Sequence, residues 1–216
     1  MRDQIDVHKV RERYDHAVRH LKPEKSISER NRRAILRCVW NLQAQGITLT
    51  RLLKYLNTLP KIARGLKKDF DKATPDDIKQ FVADLNRSKY ADWTKSDFKI
   101  ALKRFYRWLK QRPKDEDAPE TSWIKIGNGL KRVLPEELLT EDKVAKMLEV
   151  CENSRDRALL LCLDETGDRI SELLNLRRKH VQFDEYGATL IVSGKTGAPR
   201  VRVIAVGGSF RSACSA

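Results

Sequence analysis

No apolar run in this sequence approaches the roughly 18 residues that a membrane-spanning helix needs, so no membrane partner is expected. No hydrophobic stretch follows the charges that begin at residue 2, which argues against a secretory signal. The four cysteines, Cys38, Cys151, Cys162 and Cys214, form no CxxC pair or other ligand spacing. That pattern argues against a disulfide scaffold and against a zinc site, and it fits a reducing cytoplasm. Cys38 and Cys162 fall in apolar helical patterns and read as small buried hydrophobes. There are no internal repeats and no low-complexity tracts. Nothing in the sequence calls for a metal or another cofactor.

What is abundant is positive charge. The 216 residues carry a formal net charge of +14. Residues 1–110 hold 27 lysines and arginines against 13 acids, whereas residues 111–216 hold 17 of each. The whole excess therefore lies in the N-terminal half. A concentrated excess of this kind favours a polyanionic partner, with nucleic acid ahead of an acidic membrane surface. The plainer alternatives are a solvated basic surface, or a basic half that meets RNA or an acidic protein.

Periodicity predicts a helical first half. A polar helix up to about residue 20 ends at Pro23. A second helix begins at the N-cap Ser28, buries Ile35, Cys38, Val39 and Leu42, and stops at Gly46. A short third helix is expected from Leu49 to Leu59, capped by Thr48 and closed by Pro60. Residues 61–72 then read as a basic loop or frayed helix around Gly65, with Lys67 and Lys68 as candidate phosphate contacts. Thr74-Pro75-Asp76-Asp77 is a strong helix start, with Thr74 as N-cap, proline at the first helical position and acids in the first turn. The next helix, from near Thr94, alternates a buried face (Phe98, Leu102, Phe105, Trp108) with Lys95, Lys99, Lys103, Arg104 and Arg107. A core stripe backed by a solvated charged face would give the same pattern. Several such helices in one domain point to a surface that tracks DNA phosphates.

Polar residues, two prolines and a change in charge balance mark residues 113–123 as a linker between a domain at 1–112 and another at 124–216. In the second domain a helix capped by Thr140 buries Val144, Met147, Leu148 and Cys151. A second helix, with the run Ala158–Leu163, reads as the central buried one. After the break at Thr166-Gly167, a third helix reaches about Leu176 and turns Ile170, Leu173, Leu174 and Leu176 to the core. Arg169 sits in its first turn, near backbone N–H groups that favour an anion. The period then changes to two, giving strands at 181–183, 189–193 and 201–206, with a turn at 194–199. The fold class is mainly α with a small antiparallel β-sheet.

Thr166-Gly167-Asp168-Arg169-Ile170-Ser171-Glu172-Leu173, followed about 25 residues on by Ser193-Gly194-Lys195-Thr196-Gly197, resembles the tyrosine recombinases, or phage-type integrases of the Xer-like kind. Thr74–Ile78, Phe105–Leu109 and Thr140–Val144 resemble other parts of the same family. The resemblance implies a helical, SAM-like core-binding domain followed by the first part of an α+β catalytic domain. It implies double-stranded DNA as partner, self-association on DNA, and a cytoplasmic location at the nucleoid or a mobile element.

The family's chemistry is strand exchange through a 3′-phosphotyrosine. By resemblance, Arg169 neutralises charge on the scissile phosphate, Lys195 protonates the leaving 5′-oxygen, and Glu172 is a carboxylate that orients basic groups. On residue chemistry alone, Arg169 and Glu172 could be a surface ion pair and Lys195 a solvated turn residue. His180 reads as structural. The family's HxxR, its later His or Trp and its nucleophilic tyrosine have no counterpart here: no histidine follows His180 and no tyrosine follows Tyr186. The resemblance thus implies a truncated recombinase that binds DNA without cleaving it. The alternative is a non-catalytic DNA-binding or regulatory protein derived from an integrase.

Overall fold

The computed structural model describes residues 6, 8–127, 136, 138–193 and 200–204. The chain divides into two compact units, one at His8–Lys131 and one that includes Arg132–Ala216.

The first unit contains α1 (Val10–Leu21), α2 (Glu29–Ala44), α3 (Leu49–Leu66), α4 (Pro75–Arg87) and α5 (Asp92–Leu109). Local sequence sets most of the boundaries. The Ser28 hydroxyl accepts the Asn31 N–H at 3.1 Å and opens α2. Gly46, at φ +77°, follows its end in a conformation that suits glycine. Thr74 and Asp77 cap α4 reciprocally, with Pro75 in the first turn.

The central helix α3 packs against α1, α2, α4 and α5. Ile35, Leu52, Leu59, Ile62, Ile78 and Leu102 are fully buried around it. The Phe70 and Phe105 rings pack at a tilt of 49° with centroids 4.4 Å apart, and the Tyr106 hydroxyl donates to the Phe70 carbonyl at 2.9 Å. Buried Asn31 donates to the Lys68 carbonyl at 3.0 Å and accepts the Phe70 N–H at 2.9 Å, which fixes the loop after α3.

Two sequence expectations change here. Helix α3 runs through Pro60 to Leu66 rather than closing at Leu59. An interior proline costs about 3 kcal/mol. The turns beyond it bury Ile62, Ala63 and Leu66, and each large apolar side chain removed from water returns roughly 1.5–3 kcal/mol. Burial outweighs the local penalty. The second change concerns residues 113–123, read from sequence as a linker. Ala118, Thr121 and Ile124 are buried, and Asp117 meets Lys103 at 2.6 Å and Arg107 at 2.5 Å. Glu120 meets Lys110 at 2.8 Å. The segment is a strap bound to α5, drawn in by charge complementarity across the turn.

The second unit contains α6 (Glu141–Glu149), α7 (Ser154–Thr166), α8 (Ile170–Leu173), a 3-10 turn at Arg178–His180, and β1 (Val181–Asp184), β2 (Gly187–Ile191) and β3 (Arg200–Val203). The sheet is antiparallel in the order β1-β2-β3, with Leu190 opposite both Val181 and Val201. Gly187, at φ +141°, lies under β3, where an added Cβ would stand 2.2 Å from the Val203 carbonyl oxygen. The buried cluster is Ala158, Cys162, Leu173, Leu190, Val192 and Val203.

Three expectations are corrected in this unit. Of the run Ala158–Leu163, only Ala158 and Cys162 are fully buried; Leu159, Leu161 and Leu163 are half-buried against the same cluster, so α7 is not the enclosed central helix expected. On α6, Val144 and Leu148 are half-buried and Met147 is exposed, so that face is only partly covered. Helix α8 is a single turn: the Asn175 amide donates to the Ser171 carbonyl at 2.7 Å and competes with helix continuation. Ile170 and Leu174 consequently face solvent, while Leu173 is buried.

Candidate functional site

The turn between α7 and α8 is built by its own side chains. Gly167 takes a left-handed conformation at φ +62° and its N–H closes α7 on the Leu163 carbonyl at 3.0 Å. The Thr166 hydroxyl donates to the Cys162 carbonyl at 2.7 Å and accepts the Asp168 N–H at 3.1 Å. Arg169 therefore stands at the N-cap of α8, not inside its first turn. A helix of one turn has little macrodipole, so the expected help from its N-terminus is small.

Glu172 holds Arg169 at two points. One carboxylate oxygen accepts the Arg169 backbone N–H at 3.1 Å, and the other accepts its Nη1 at 3.1 Å. The arginine side chain is 70% exposed and the glutamate 13%. The carboxylate is the fixed partner and the guanidinium is the displayed one. An ion pair open to water on one side contributes about 0–1 kcal/mol, little enough to yield to a bidentate anion. Asp168, the preceding residue, has a buried oxygen (Oδ2) with no hydrogen-bond partner among the described residues. Arg169 thus shares its turn with two carboxylates. A phosphate here needs at least one further cation. Lys195, the residue expected to supply it, lies outside the described residues. On either side of it, β2 and β3 pair with Ile191 opposite Arg200.

The basic residues singled out on α5 are not equivalent. Asp117 engages Lys103 and Arg107 together. The Lys103 ammonium, and then the Arg107 guanidinium, hold the Asp117 carboxyl below its usual range against the desolvation of burial. Lys95 has a side chain only 18% exposed, with Asp92 at 3.7 Å. Lys99 is half-buried, with no ion pair recorded among the described residues. Arg104 reaches the Gln45 side-chain oxygen at 3.5 Å. Lys67 follows α3 in a left-handed conformation and is exposed, while Lys68 is paired with Asp77 at 2.8 Å. Sequence reading missed Asp117 and Glu120 as partners of α5. The acid-rich stretch directly after a basic helix was the available signal.

Cys38 and Cys162 are buried thiols, and burial pushes the Cys38 thiol up to about 12. His180 accepts the Arg177 N–H through Nδ1 at 3.2 Å, a local structural bond. Among the described residues no group of three or more His, Cys, Asp or Glu side chains is gathered as a metal site, and no helix is long and apolar enough to cross a membrane.

Comparison with known proteins gives a consistent result over both units. Residues 137–214 match the phage integrase family, and residues 42–113 match the phage integrase N-terminal SAM-like domain. The tyrosine recombinase XerA of Pyrococcus horikoshii is 32% identical over 151 residues, which cover 68% of this chain and 50% of that protein. The tyrosine recombinase XerD of Chlamydia pneumoniae is 34% identical over 155 residues, covering 67% and 49%. The chain spans about half the length of these curated relatives. A crystal structure of the XerH site-specific recombinase bound to palindromic difH substrate, in a post-cleavage complex, is similar in fold, with a TM-score of 0.51 and 17% identity over 98% of this chain and 70% of that one. The helical unit with its SAM-like match, the Arg169 turn and the antiparallel sheet all agree with one assignment: the chain belongs to the tyrosine recombinases of the phage integrase family.

Proposed function

We propose that this chain binds double-stranded DNA as a site-specific recombinase does, and that these 216 residues hold a phosphate without breaking its bond. The observation that carries the reading is the Arg169 turn, in which a fixed Glu172 presents a 70% exposed guanidinium. That geometry suits bidentate recognition of a phosphate. Arg169 would neutralise charge on the non-bridging oxygens, Glu172 would orient it, and Lys195 would add the second cation and serve as proton donor to a leaving 5′-oxygen. The basic helical unit would supply most of the backbone contacts and so most of the affinity.

Strand exchange through a 3′-phosphotyrosine also needs a nucleophile. Tyr186, the last tyrosine in the sequence, lies in the β1–β2 turn, 68% exposed, with the Arg202 guanidinium 5.9 Å from its ring centroid. Among the described residues no hydrogen bond is made by its hydroxyl; its contacts are the backbone N–H to Asp184 and the ring beneath Arg202. Catalytic groups of this kind act as a unit, and loss of one forfeits most of the rate. That favours a binding role for the chain taken alone, as in a regulatory protein derived from an integrase. Self-association would be weak and confined to DNA. A DNA partner implies a cytoplasmic location, at the nucleoid or a mobile element.

The test is a nicked suicide duplex titrated with the protein over a range of salt concentrations. The expected result is binding that weakens steeply with salt and no covalent adduct after denaturation. Salt-insensitive or absent binding would reject the DNA reading, and a trapped adduct would reject the claim that this chain cannot cleave.

A further inference from the structure

The helical unit carries a groove of about 860 Å³ between the end of α2, the first turn of α3 and the end of α5. Its walls include Arg51, Arg104, Arg107, Arg112 and Lys114, and among the described residues no carboxylate lines it. Three other depressions on the same unit each contain acids: Glu12, Asp15 and Glu24 in one, Glu29 and Asp71 in another, Asp69 in the third. A concave surface of a single sign focuses potential and concentrates counter-ions.

The five cations divide by their partners. Arg107 is held by Asp117, and Arg112 meets Glu116 at 3.2 Å. For Arg51, Arg104 and Lys114 no carboxylate partner is recorded among the described residues. Arg104 meets the amide oxygen of Gln45, at 3.5 Å. Three full positive charges are therefore left for a ligand. The C-terminal ends of α2 and α5 oppose an anion here, but each amounts to about half a charge and is screened beyond its last turn. The side-chain amides of Gln45 and Gln111 add donors, and Trp108 gives part of the wall an aromatic surface.

We propose that this groove is where the helical unit grips the sugar–phosphate backbone of double-stranded DNA, with Arg51, Arg104 and Lys114 as its phosphate contacts. The proposal rests on the DNA-binding reading above and makes it specific. It adds Arg51 and Lys114 as contacts and leaves Lys67, Lys68 and Lys95 outside the grip.

The experiment compares the full chain with two triple variants in salt-dependent anisotropy titrations against a labelled duplex. The groove variant is Arg51→Gln/Arg104→Gln/Lys114→Gln. The control, Lys25→Gln/Lys61→Gln/Lys89→Gln, removes the same charge from exposed positions elsewhere on the unit. Removing one cation that touches a phosphate lowers the slope of log K against log salt by about 0.9. The groove variant should lose between about two and three units of slope and on the order of 100-fold in affinity near physiological salt, against less than about 3-fold for the control. A double variant, Arg51→Gln/Lys114→Gln, keeps the Arg104–Gln45 contact and should lose about two-thirds of that slope, which guards against a folding artefact. Equal losses in the groove and control variants, or a groove variant that binds like the unaltered chain, would overturn the groove while leaving DNA binding intact. Failure of the unaltered chain to bind the duplex would overturn both.

Discussion

Asp77 serves two elements with one carboxylate. It accepts the Thr74 N–H at 2.9 Å and the Thr74 hydroxyl at 2.8 Å, and it takes the Lys68 ammonium at 2.8 Å. The Lys68 hydrogen bond, then those from Thr74, hold its carboxyl down from 3.8 to about 2. A carboxyl depressed on folding stabilises the fold above its unfolded value, and that contribution is lost as pH falls from about 4 through 2. Asp77→Asn should therefore lower stability at neutral pH and flatten its pH dependence between 4 and 2. Urea midpoints at pH 7, 4 and 2.5 measure this, and an unchanged acid sensitivity would show that another carboxylate carries the effect. At this scale the local pairings of the candidate site were partly legible in advance. Thr74 and Asp77 announce themselves because a cap is a local pattern of residue types, and Arg169 and Glu172 because they share a motif. The pairing of Asp117 with Lys103 left only a coarse trace, acids directly after a basic helix, because the contact itself depends on how the chain folds back after α5 rather than on any period along it.

The same contrast appears among the elements. Boundaries set by local chemistry, at Ser28, Gly46 and Thr74, fall where the sequence puts them. The end of α3 does not, since a proline rule is local and the burial that overrides it comes from four neighbouring helices. Gly65 sits inside that overridden stretch. An added Cβ would stand 2.6 Å from Phe81 Cε2 and 2.8 Å from its Cδ2, so the α4 ring lies directly over the glycine. Replacing a mid-helix glycine with alanine gains about 0.5–1 kcal/mol of backbone entropy. Forcing a ring out of a packed position costs roughly 1–3 kcal/mol. The second effect is the larger, so Gly65→Ala should destabilise the chain by about 1 kcal/mol. In a double-mutant cycle with Phe81→Leu, the combined loss should be smaller than the sum of the single losses, because the smaller side chain makes room. Additive losses would mean that the ring moves aside freely and the close approach has no energetic weight.

Across the whole chain, charge and apolar burial are both unevenly distributed, and they favour the same half. The His8–Lys131 unit gathers 25 buried residues into one cluster, against six in the cluster of the second unit, among the described residues. Large apolar side chains in the second unit stay in water instead: Val150 is 77% exposed, Leu139 65% and Ile170 51%. The amphipathic pattern of residues 141–176 was legible in the sequence, but the degree of burial was not. A periodic stripe says which face seeks cover and not whether cover is there. Elements with few buried apolar contacts open at lower free energy than well-packed ones. The two units should therefore unfold in separate steps, the second unit first, and native-state hydrogen exchange resolves them. Amides of α7 and β2 should exchange more than about tenfold faster than those of α3 and α5. Adding duplex DNA should protect α2, α3 and α5 before it protects α7, because the unit with the charge excess would make most of the phosphate contacts. Equal protection of α3 and α7 in the free protein would show that the small cluster is as stable as the large one, and that the extent of apolar burial does not set the stability of this unit.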